Sequence, residues 1–82
     1  IAALILRMEE TRLPRARRLQ QKVTAGERLS ESDIRFLKRV HDDYLANQAL
    51  ILRNRDYSHL MARFIDLYAE IIARGFENEK AR

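Results

Sequence analysis

Cysteine and tryptophan are absent from this 82-residue sequence, proline occurs once, and glycine twice. Without cysteine there can be no disulfide and no thiolate metal site. The lack of thiols fits a reducing cytoplasm, which is the expected location. Only two histidines occur, His41 and His59, and their separation argues against a zinc site. No glycine-rich phosphate loop can be built from two isolated glycines. The longest apolar run is Ile1–Leu6, far short of the roughly 20 residues that span a bilayer. It is also too short, and wrongly flanked, for a signal peptide. The chain does not begin with methionine, which reads as an excised fragment or a chain that has lost its first residues, the alternative being a start at Met8 with residues 1–7 foreign; residues 1–10 are then either non-native or a separate helical arm.

What remains is a chain rich in arginine and aliphatic side chains, long enough for one domain. A domain this small buries a modest share of its surface, and a partner subunit is a common remedy where disulfides and metals are missing. The net charge is +4 and unevenly spread. Residues 1–41 carry ten Lys/Arg against five Asp/Glu, and residues 42–82 carry six against seven.

The few helix breakers fall where helix boundaries need them. Pro14 suits a first helical turn, where its missing N–H costs nothing. Leu13, Ala16, Leu19 and Val23 recur at three- and four-residue spacing and predict a short helix over 14–25. Gly26 ends it in the left-handed conformation. Ser30 with Asp33 reads as a capping box, opening an unbroken second helix over about 31–54. The polar run Arg53–Asp56 is the expected turn, with Asp56 or Ser58 capping a third helix over about 57–79, unless Gly75 stops that helix near Arg74. The final residues are expected to fray. The fold class is all-α: a long antiparallel hairpin crossed by a short N-terminal helix, assembling into a helical bundle.

The apolar faces suggest a role. On a helical wheel, residues of the third helix from Tyr57 to Phe76 fill an arc of about 180°, which Ala62, Ala69 and Ala73 widen to about 240°. One neighbour needs a stripe of about 100°. The second helix carries an arc of about 140°, with Phe36 and Leu50 lying off it. A second copy of the chain is expected to cover the excess, most simply as a dimer, the alternatives being a monomeric three-helix bundle with a few exposed apolar residues and a complex with a different protein. Its interface would use Phe36, Leu50, Met61, Ile65, Tyr68, Ile72 and Phe76.

His41 and Gln48 lie seven residues apart inside the apolar arc of the second helix. They read as a buried polar layer that finds hydrogen bonds in the core or fixes register between subunits. Asp66 and Glu70 share a face at i, i+4, yet the Glu-x-x-His element of di-metal bundles does not occur. A solvated strip, with Glu70 pairing to Arg74, is the expected arrangement, and no metal or cofactor is implied. Serines occur only at positions 30, 32 and 58, each beside a helix start, so no nucleophile–base set is visible and the protein is not expected to be an enzyme. The densest charge is basic, in Arg12, Arg15, Arg18 and Lys22, and gives a second functional reading as a nucleic-acid-binding helix. No aromatic residue lies among them to stack on bases.

Overall fold

The structure is a computed structural model that describes residues 1–80. All of its regular elements are helical: α1 (Ala2–Arg7), a π-helical turn (Met8–Arg12), α2 (Leu13–Thr24), α3 (Glu31–Ala46), α4 (Gln48–Arg53) and α5 (Arg55–Lys80). The fold class is therefore all-α. The fraying expected at the chain end falls partly on residues 81–82, outside the described residues.

The first helix departs from expectation. It does not begin at Pro14 but runs without interruption from Ala2, so the N-terminal arm is continuous with it. Pro14 has no N–H to donate, and its ring crowds the carbonyl one turn back. The chain accommodates this by widening the preceding turn, in which the Leu13 N–H bonds to the carbonyl of Met8, five residues earlier. Both Met8 and Leu13 thereby reach the core. The far end follows the expected chemistry. Gly26 has φ +91°, the Glu27 N–H bonds to the Lys22 carbonyl at 3.2 Å, and the Gly26 N–H bonds to that of Val23 at 3.0 Å, a Schellman closure.

The capping box forms as predicted. The Asp33 N–H donates to Ser30 Oγ (3.1 Å), and the Ser30 N–H donates to Asp33 Oδ2 (2.9 Å). The second helix is not unbroken, however. Asn47 leaves helical geometry at φ −117° and ψ 21°, and its side-chain amide donates to the Asp43 carbonyl at 2.7 Å. An asparagine can compete with the helix ladder in this way. The cap of α5 is Asn54 rather than Asp56 or Ser58: its Oδ1 accepts the Tyr57 N–H at 3.0 Å. Gly75 does not end α5. It is buried within it, and a Cβ there would come within 2.8 Å of Leu29.

The helices form an elongated bundle of 44 × 20 × 18 Å. Ile5 lies beside Leu60 at one end, and at the other end Val23 lies beside Gly75. The α1–α2 helix thus runs parallel to α5 along its length, and α3 returns antiparallel to both. The N-terminal helix is a full third member rather than a short crossing piece. The core centres on Phe64 and Ile71, both fully buried, with Ala16, Leu19, Leu37, Val40 and Tyr57 around them. Phe36 meets Phe64 edge to face at 6.4 Å.

A candidate association face on α3 and α5

Two surfaces flank α3, and they are built differently. The surface toward α2 is closed by charge. Arg12 donates to Asp43 at 2.5 Å, and Lys22 to Asp33 Oδ2 at 2.7 Å. Arg15 lies over the Phe36 ring at 4.4 Å and reaches Ser32 Oγ at 3.3 Å. Burial pushes the Asp33 carboxyl up, but the hydrogen bonds from Lys22 and Ser30, with the Lys22 charge, outweigh it and hold its pKa below the usual aspartate value. Burial likewise pushes the Tyr57 phenol up, against the opposing charges of Arg12 and Arg7 and aided by Asp43.

This changes the reading of the basic segment. Of the four residues expected to face nucleic acid, Arg12 is buried, and Arg15 and Lys22 are engaged on α3. Only Arg18 is exposed, next to Arg17. Their partners lie 11 to 31 residues away in the chain.

The other surface, between α3 and α5, is open and apolar. Ile34, His41 and Leu45 recur at helical spacing along the edge of α3. Facing them on α5 are Ile65, Tyr68, Ile72 and Phe76. At one end, Leu29, Ile34, Ile72, Gly75 and Phe76 line a groove of about 390 Å³, with Glu31 and Glu79 also on its wall. At the other end a second groove of about 310 Å³ lies against Tyr44, Leu52, Met61, Ala62 and Ile65. Between them the His41 ring stacks on Tyr68, with centroids 5.4 Å apart and planes at 18°. Ile34 is 51% exposed, Phe76 60% and Leu52 83%.

Four of the seven expected interface residues, Ile65, Tyr68, Ile72 and Phe76, lie together on this face. Phe36 and Met61 do not belong to an open surface. They are buried within one copy, because Arg15 of α2 lies over Phe36 and because Met61 faces inward beside Phe64, forming only the floor of the second groove. Leu50 is exposed but lies on α4, beyond the break at Asn47. The same break separates His41 from Gln48, so the two form no buried layer: His41 is half-buried in the groove and Gln48 is exposed. Glu70 binds Gln20 (2.7 Å) and Arg74 (3.3 Å), the latter as expected.

Ile34, Leu45 and Leu52 lie within the 140° apolar arc of the expected second helix, where nothing in the sequence singled them out, and Asn78 was not singled out either. The amide of Asn78 donates to the carbonyls of Val23 (2.9 Å) and Glu27 (2.8 Å), fastening the end of α5 to the α2–α3 turn. Among the described residues no helix is long and apolar enough to cross a membrane. Compared with family models, curated proteins and solved structures, the chain matches none of them.

Proposed function

We propose that the protein is a non-enzymatic association module whose α3–α5 face takes up a second copy of the chain. The observation that carries this reading is the clustering of exposed Ile34, Leu52, Ile72 and Phe76 around two grooves, with exposed Leu45 on the same edge of α3 as Ile34. Taking roughly 200 Å² for a large apolar residue, the five expose on the order of 550 Å². That is at the top of the range for the largest patch on a monomer, where such patches are often functional. A standard interface takes about 800 Å² from each partner, so the patch would form its core with a polar rim around it. The lack of cysteine supports service in a reducing cytoplasm.

Light scattering coupled to size exclusion tests the reading. The wild-type chain should elute at a multiple of 9.7 kDa, with Phe76→Arg and Ile72→Arg shifting it toward the monomer while helicity is unchanged. A monomer at every concentration removes the proposal. The nucleic-acid reading has less support, since on the basic segment it is left with Arg17 and Arg18. A titration at low salt, where phosphate contacts are strongest, would show whether even that remains.

A further inference from the structure

Along the outer edge of the same face, α5 carries a stripe with strictly alternating three- and four-residue steps: Arg55, Ser58, Ala62, Ile65, Ala69, Ile72, Phe76 and Glu79. This is the spacing of a coiled-coil contact line rather than of a core face. All eight are exposed or half-buried in one copy. The residues turned to the core, Tyr57, Phe64 and Ile71, belong to another side of the helix. A solvated strip has no need of apolar residues at this spacing.

The order of sizes along the stripe identifies its occupant. Building on the self-association proposed above, we infer that α5 packs antiparallel against α5 of a second copy, with the two-fold axis level with Leu67. Residues equidistant from Leu67 then face one another. Phe76 meets Ser58, Ile72 meets Ala62, and Ile65 meets Ala69, so every layer joins one large side chain to one small one. The ends of the stripe bring Arg55 to Glu79, a pairing of opposite charges repeated by symmetry. Glu79 also lies 3.4 Å from Arg28 of its own chain, on an exposed part of the surface. A parallel pairing would instead set Phe76 on Phe76, Ala62 on Ala62, and each terminal charge on its like. The surface is thus complementary to itself in one direction only, as an isologous dimer requires. The second α5 would lie in the channel beside α3, where it would also cover Ile34 and Leu45.

Spin labels test the direction, since each introduced cysteine is the only thiol in the chain. In the intact dimer, labels at Asp66→Cys should lie close together, on the order of 10 Å apart, and labels at Glu77→Cys on the order of 30 Å apart. Short distances at both positions would mean parallel helices, and long distances at both a different face. Either result overturns this inference while leaving self-association standing, whereas a chain that is monomeric throughout removes both. A second measurement examines one layer. Ala69→Ile, at an exposed site, should weaken dimerisation roughly tenfold by crowding Ile65 of the other copy. Adding Ile65→Ala, which exchanges the two sizes, should return affinity to within about threefold of wild type. A double variant as weak as the single one would contradict the layer.

Discussion

The two flanks of α3 invert the usual division between inside and outside. Toward α2, side chains that resemble surface charge in the sequence are drawn inward: Arg12 and Lys22 are tied to Asp43 and Asp33, and Arg15 lies flat on Phe36. Toward α5, side chains that resemble core are left in water, among them Ile34, Ile72 and Phe76. A chain of this size has little apolar area to spare. That it closes one joint with charges and leaves aliphatic surface on the other assigns the first flank to the fold of one copy and, on the proposal above, the second to association.

If that division holds, substitutions on the two sides should fail differently. The largest effect is expected at the hub they share: Phe64→Ala should cost about 3–5 kcal/mol, which in a domain this small approaches complete unfolding by circular dichroism. Next comes the clip at the end of the charged side. Asn78→Ala strips two carbonyls of a donor and should lower stability by about 1–2 kcal/mol in a urea titration. Asp33→Asn removes the partner of Lys22 and half of a capping box, and should cost about 1 kcal/mol at neutral pH. The smallest effect on folding is expected on the open face. Phe76→Ser should change monomer stability by less than about 0.5 kcal/mol while reducing the associated fraction in sedimentation. A large loss of folding there would erase the contrast between the two flanks.

Acidity sharpens the same contrast. Because the folded pKa of Asp33 lies below its ordinary value of 3.8, its contribution is fully present above that value and is lost as pH falls through the depressed one. The melting temperature should therefore drop below pH 4 in the wild type and less so in Asp33→Asn. At the other extreme, the raised pKa of buried Tyr57 means that stability present below its ordinary value of 10.0 is lost as the pH rises through the elevated one. Tyr57→Phe should soften that alkaline decline.

The helix boundaries set by local chemistry were legible in the sequence. Ser30 with Asp33, and Gly26 with its left-handed turn, are short-range devices complete within a few residues. The width of the apolar arc on α5 was legible too, and Ile65, Tyr68, Ile72 and Phe76 do lie on one face. What could not be read was azimuth, meaning which neighbour covers which part of an arc. Phe36 and Met61 seemed spare because the wheel does not say where a neighbour lies: Arg15, inside the expected first helix, lies over Phe36, and Met61 turns inward beside Phe64. The basic segment seemed free because its acidic partners lie on the next helix. Asn47 and Asn54 gave a weak signal, since asparagine breaks or caps a helix only where its amide finds a carbonyl or N–H to engage.

The widened turn at Met8–Arg12 holds one more residue than an α-helical turn would, and the i to i−5 closure absorbs that surplus locally. Removing a single exposed residue there, such as Thr11, would let the turn close as ordinary α-helix and leave the Ala2–Arg7 arm facing α5 much as before. The same deletion inside the regular part of α2 would rotate everything ahead of it by about 100°. The wide turn is thus the one place in the N-terminal helix where a change of length leaves its wet and dry sides in place.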